Sequence, residues 1–123
     1  MKKILLIEDE QALQKTLTSK LETEGYEIFS ALNGEDGVSI AKKEKPDLII
    51  LDLVLPKKNG FQVLKEIKGD KEIQEISVVV LTNLEDMKDI QKVLDLGATT
   101  YLVKANYGLE EISEKIKEIL ETK

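Results

Sequence analysis

Leu48-Ile49-Ile50-Leu51-Asp52 is a short apolar run that stops at a carboxylate, and three further stretches repeat the form. Ile4-Leu5-Leu6-Ile7 runs into Glu8-Asp9, Ser77-Val78-Val79-Val80-Leu81 into Thr82, and Tyr101-Leu102-Val103 into Lys104. A fifth run, Tyr26-Glu27-Ile28-Phe29, ends without a reactive residue. Strands of a parallel sheet read as unbroken apolar runs because helices cover both faces of the sheet. Ligands of such sheets bind just outside the carboxyl ends of the strands. Three carboxylates, a hydroxyl and an ammonium delivered to that edge make a site for a cation and an oxyanion, as phosphoryl chemistry requires.

The segments between the runs read as helices. Leu13, Leu17 and Leu21 form one stripe that Gly25 closes, and the second strand then covers Tyr26 to Ser30. Asn33-Gly34 turns into a short helix with Val38 and Ala41 inward, and Pro46 separates it from the third strand. The third helix starts near Asn59-Gly60, places Phe61, Leu64 and Ile67 on one face, and ends at Gly69-Asp70. A helix expected from Glu85 carries Met87, Ile90, Val93 and Leu94 up to Gly97. Leu109, Ile112, Ile116 and Ile119 stripe the last helix. Strict alternation of strand and helix predicts an α/β parallel sheet with right-handed crossovers.

Composition sets the limits. The 123 residues, 41% hydrophobic and 34% charged, suit one domain over 1–123 with a real core. Cys is absent, which excludes disulfides and thiolate metal sites, and His is absent, which removes the commonest general base. A net charge of -6 disfavours direct nucleic-acid binding. All the basic side chains are Lys, so no guanidinium fork can clamp a phosphate. Met1-Lys2-Lys3 and its apolar run break at Glu8-Asp9, too early for a signal peptide, and no stretch is long enough to cross a bilayer. A cytoplasmic chain without a second domain is expected.

Mg²⁺ takes one or two carboxylates together with water and phosphate oxygens. Glu8, Asp9 and Asp52 can supply those carboxylates if the first and third strands are neighbours. The metal relieves their mutual repulsion, and one of them can then attack phosphorus, since aspartyl phosphates are a known covalent route. Asp52, alone at its strand end, is the expected nucleophile. Thr82 can donate to a phosphoryl oxygen and Lys104 can neutralise another. Taken singly, each has a blander reading: an acid at a strand end more often caps a helix, Thr82 could cap the following helix, and Lys104 could be a surface charge. Their joint placement at strand ends favours chemistry.

As a set these residues resemble the receiver domains of bacterial two-component response regulators, and the resemblance covers the whole chain. It rests on Glu8-Asp9, on Asp52 followed by Pro56 and Gly60, on Thr82, and on Tyr101 with Lys104. It implies a flavodoxin-like doubly wound (βα)5 fold with a five-stranded parallel sheet in the order 2-1-3-4-5. It further implies that Asp52 accepts a phosphoryl group from a phosphohistidine of a sensor histidine kinase or a histidine phosphotransfer protein. Mg²⁺ would be held by Asp9, Asp52 and the Val54 carbonyl, with Glu8 acting through water. Thr82 would swing to the phosphate and Tyr101 would rotate inward behind it. The signal would leave to a downstream protein through the fourth helix, fifth strand and fifth helix.

Three departures from the family pattern stand out. Ala105 follows Lys104 where relatives usually carry Pro after a cis bond, and a cis bond before a non-proline residue costs ~3–4 kcal/mol. Asn83 follows Thr82 where a small residue is usual. Val54 and Leu84 put apolar groups at two variable positions expected to flank the phosphoryl group, which predicts slow self-dephosphorylation. None of the three removes the acceptor, the metal ligands or the lysine.

Other classes fit less well. A haloacid dehalogenase phosphatase needs a second Asp two residues after its nucleophile, where this chain has Val54. A flavodoxin needs a phosphate-cradling loop where Glu8-Asp9-Glu10 would repel the ligand. A pseudo-receiver that serves only as a docking module is the remaining alternative, although such modules normally lose part of the acidic or lysine set. The expected role is therefore a stand-alone switch or phosphorelay shuttle, and not a turnover enzyme beyond its own phosphorylation and dephosphorylation.

Overall fold

Strands and helices alternate along the whole of this computed structural model, which describes residues 1–122. The order is β1 (Lys3–Ile7), α1 (Gln11–Thr23), β2 (Glu27–Ala31), α2 (Gly34–Glu44), β3 (Leu48–Leu51), α3 (Gly60–Lys68), β4 (Ser77–Thr82), α4 (Met87–Asp95), β5 (Thr100–Val103) and α5 (Leu109–Glu121). The five strands are all parallel, in the order β2-β1-β3-β4-β5. That is the doubly wound arrangement the alternating pattern and the resemblance imply.

The unbroken apolar runs exist because each strand serves two cores. Leu5, Ile7, Ile49, Leu51, Val78 and Val80 point to one face, where Val38 and Ala41 of α2, Val63, Leu64 and Ile67 of α3 and Val93 of α4 cover them. Their neighbours Ile4, Leu6, Leu48, Ile50, Val79 and Leu81 point to the other face, against Leu17 and Leu21 of α1 and Ile112, Ile116 and Leu120 of α5. Side chains of a strand alternate between faces, so a run apolar at every position is the signature of a sheet covered on both sides. Each fully buried Leu or Ile contributes about 1.5–3 kcal/mol of transfer free energy.

Register carries this order to the site. Ile7 lies beside Leu51, and Leu51 beside Val80. The backbone pairing runs one residue past the strands, with Asp52 N–H donating to Ile7 O at 3.1 Å and Glu8 N–H to Ala31 O at 3.0 Å. Glu8 and Asp52, just past β1 and β3, thus emerge side by side, with Thr82 at the end of neighbouring β4.

Local signals set the helix starts. Asn33 accepts from Asp36 N–H at 2.8 Å and Asn59 from Gln62 N–H at 3.0 Å, so each side chain satisfies one orphan donor of its helix. The fourth helix departs from its expected start. It begins at Met87 with Asp86 as its cap, because the Asp86 carboxylate captures Lys88 N–H at 2.8 Å. Its stripe is also only partly inward: Val93 is buried, but Met87 is 74% and Leu94 42% exposed. The second strand is shifted by one residue, to Glu27–Ala31.

Candidate functional site

The carboxyl ends of β1, β3, β4 and β5 bring together Glu8, Asp9, Asp52, Thr82 and Lys104, with Glu10, Val54 and Asn83 lining the same cleft. Glu8 is 1% exposed, Asp52 5% and Thr82 0%, whereas Asp9 is open to solvent. Every catalytic or metal-binding side chain expected from the sequence therefore lies at this one edge.

A single ammonium organises the buried acids. Lys104 Nζ lies 3.0 Å from Asp52 Oδ2 and 2.8 Å from Glu8 Oε1. The second oxygen of each carboxylate has a backbone donor: Val54 N–H reaches Asp52 Oδ1 at 3.3 Å, and Glu10 N–H reaches Glu8 Oε2 at 3.0 Å. Burial raises the Glu8 pKa above the ordinary carboxyl value and the nearby Asp52 charge adds to it, against the pull of Lys104 and the Glu10 N–H. Burial works to lower the Lys104 pKa, but its hydrogen bonds to Glu8 and Asp52 and their charges outweigh it, and the ammonium is held above its usual range.

Glu8, Asp9 and Asp52 each offer an oxygen, all within 4.8 Å of one another. Two unit charges at that distance repel by about 3 kcal/mol at an effective dielectric near 20. Three carboxylates face one ammonium, so an excess of negative charge remains before any phosphoryl oxygen enters. A hard divalent cation fits this donor set, which is all oxygen and open to water on the Asp9 side. Both oxygens of Glu8 and both of Asp52 already have partners, whereas Asp9 stands open to solvent.

On the far side of the cleft, Thr82 and Tyr101 meet at one residue. Leu84 N–H donates to Thr82 Oγ1 at 3.5 Å, a long and weak bond, while the Tyr101 hydroxyl donates to Leu84 O at 2.8 Å. Tyr101 is half-buried, and burial followed by the charges of Asp89 and Asp52 raises its pKa. After β5 the chain turns through a 3-10 segment at Lys104–Asn106, and among the described residues no peptide bond is cis. With Ala at 105 the loop takes a trans path.

Of the two positions expected to flank the phosphoryl group, one is where the sequence put it and the other is revised. Val54 is 58% exposed and lines the cleft. Leu84 instead packs half-buried against the core on the α2–α4 side, and is not among the residues lining the cleft. The sequence reading also missed Gln14, whose amide donates to the carbonyls of Glu8 and Ala31. Its place one turn beyond Glu10 was the available signal, but a polar residue on a first turn seldom stands out.

Residues 4–117 match the family described as the response regulator receiver domain. The chain is 36% identical over 120 residues to RpaA of Synechocystis sp., a DNA-binding dual master transcriptional regulator, covering 98% of this chain and 49% of that protein. It is 36% identical over 104 residues to the protein PilH of Pseudomonas aeruginosa, covering 85% of this chain and 86% of that one. Among solved structures, the Mn²⁺-bound form of the response regulator Rcp1 superposes with a TM-score of 0.83 at 32% identity, over 97% of this chain and 91% of that one. The chain spans about half the length of several curated relatives that it matches, RpaA included. No helix among the described residues is long and apolar enough to cross a membrane.

Proposed function

The chain belongs to the response regulator receiver domain family, a family of signalling switches, and from that premise we propose that Asp52 accepts a phosphoryl group and thereby resets the surface around α4. The donor is a phosphohistidine of a sensor histidine kinase or phosphotransfer protein. An Asp52 carboxylate oxygen attacks phosphorus as the phosphorus–nitrogen bond breaks. The imidazole nitrogen keeps the electron pair of that bond. The observation that carries this reading is the burial of Asp52 and Glu8 around one ammonium, with Asp9 in reach of both.

Asp9, Asp52 and the Val54 carbonyl are the groups we assign to Mg²⁺, and Glu8 to a water on it, as the family resemblance implies. Bound there, the cation supplies charge neutralisation for the transferring oxygens. Lys104 moves its hydrogen bond from the Asp52 carboxylate to an oxygen of the phosphoryl group that Asp52 then carries. The weak bond from Leu84 leaves the Thr82 hydroxyl able to turn to the phosphoryl group. That turn frees the Leu84 amide, shifts the β4–α4 loop and changes the seat of the Tyr101 hydroxyl. The readout surface is then α4, β5 and α5, where Met87 and Leu94 offer apolar contacts to a downstream protein. A switch in the cytoplasm fits this supply of phosphoryl groups. The complete acid and lysine set supports it over a role in docking alone.

Labelling with acetyl phosphate and Mg²⁺ tests the acceptor. Asp52→Asn is expected to take no label, because an amide is not a competent nucleophile. Label that persists on Asp52→Asn and disappears on Asp9→Asn overturns the assignment.

A further inference from the structure

We infer that Gln14 is the positioning residue of the acidic loop: its amide ties together the ends of β1 and β2 and so sets where Glu8 and Asp9 present their oxygens. This rests on the cation site proposed above. Gln14 Nε2 donates to Glu8 O at 3.1 Å and to Ala31 O at 3.1 Å, which uses both amide hydrogens. Its own backbone N–H bonds Glu10 O at 3.0 Å, so the residue grips the loop through side chain and main chain together. Ala31 O also accepts from Glu8 N–H at 3.0 Å. One carbonyl thereby joins the outer strand, the acidic loop and α1.

The Glu8 carbonyl and the Asp9 amide belong to one planar peptide unit. Fixing that oxygen fixes the plane, and with it the direction in which Asp9 leaves the sheet. Asp9 is exposed and packs against little, so its placement depends on its backbone. The Glu8 carboxylate is held from the other side by Lys104 and by Glu10 N–H. Gln14 is thus what orients the exposed ligand, while Lys104 orients the buried ones. Removing the donors frees the Glu8 carbonyl to turn toward water and lets the carboxylates spread, which lowers their mutual repulsion and weakens their grip on a cation.

Gln14→Met keeps the length of the side chain and removes both donors. Gln14→Asn is the milder variant, one methylene too short to reach both carbonyls. Gln14→Arg keeps a pair of N–H donors. Three quantities are measured: amide hydrogen exchange at Glu8 and Glu10, Mg²⁺ affinity by calorimetry, and urea unfolding without metal. In Gln14→Met and Gln14→Asn, exchange at Glu8 and Glu10 is expected to quicken roughly tenfold relative to amides of α5. Mg²⁺ is expected to bind about tenfold more weakly, the low end of what supporting groups around a metal contribute. Gln14→Arg restores the exchange protection. A residue that merely stabilises α1 would lower the unfolding midpoint and leave both local exchange and Mg²⁺ affinity unchanged, and that result overturns the inference. Wild type that binds no Mg²⁺ sinks the cation site, and exchange at Glu8 and Glu10 then decides on the clamp by itself.

Discussion

A Cβ at position 60 would lie 2.4 Å from the Asp52 carbonyl oxygen and 2.5 Å from Leu53 Cα. Real side chains do not approach backbone so closely, so Gly60 lets α3 start directly beneath the acceptor. Its N–H bonds Leu53 O at 2.9 Å and ties the loop back to the end of β3. Gly60→Ala is expected to cost about 1–3 kcal/mol, as overpacking of a tight interior does. It should also slow phosphoryl labelling, since the strain falls on the Asp52 backbone. Urea unfolding and acetyl phosphate labelling check the two effects. Stability and labelling equal to wild type would show that the loop relaxes without moving Asp52. Lys104 acts at the same scale. Its pairing with two buried carboxylates makes it a structural counter-charge as well as a phosphate partner.

At the scale of elements, the loops decide how long the signal lasts. Water must reach the phosphoryl group in line with the bond to Asp52, and polar groups near that path can orient it. Val54 alone of the two suspected positions borders the cleft; Leu84 is packed inward and leaves its backbone to Thr82 and Tyr101. Val54→Asn is therefore expected to speed dephosphorylation several-fold with little change in fold. Leu84→Glu should instead lower stability by about 1–3 kcal/mol, through burying a charge without a partner. Decay of the phosphorylated protein measured over time separates them, and a Val54→Asn decay equal to wild type sinks the water-path account. The misplacement of Leu84 shows where sequence reasoning stops. Covered strands announce themselves, because both faces demand apolar residues, and so β1, β3, β4 and the residues after them were legible. Loop side chains have no period, so Leu84 turning inward and Asp86 setting the start of α4 were not, and neither was Gln14 of α1 clamping Glu8, since periodicity reads only apolar stripes. The outward turn of Met87 and Leu94 escaped for a related reason. Periodicity finds an apolar stripe without saying how much of it a neighbour covers.

For the whole molecule, the acidic site is a strain that the two cores hold in place. The covered strands fix Glu8 and Asp52 just past the ends of adjacent β1 and β3, and the fold keeps them buried although their charges repel. A cation that binds this arrangement and not the unfolded chain must stabilise the fold by RT ln(1 + [L]/Kd), on the order of 2–3 kcal/mol at a hundred times Kd. Mg²⁺ is thus expected to raise the melting temperature by roughly 8–12 °C for a domain of this size. Asp52→Asn should blunt that rise, because it removes a ligand oxygen charge. It should also change the metal-free protein less than a core substitution would, since the loss of pairing with Lys104 is offset by relief of repulsion with Glu8. Thermal unfolding with increasing Mg²⁺, and again with a chelator, measures both effects. If the melting temperature of wild type stays constant across millimolar Mg²⁺, the acids do not form a cation site. If Asp52→Asn responds as strongly as wild type, a cation binds, but Asp52 is not one of its ligands.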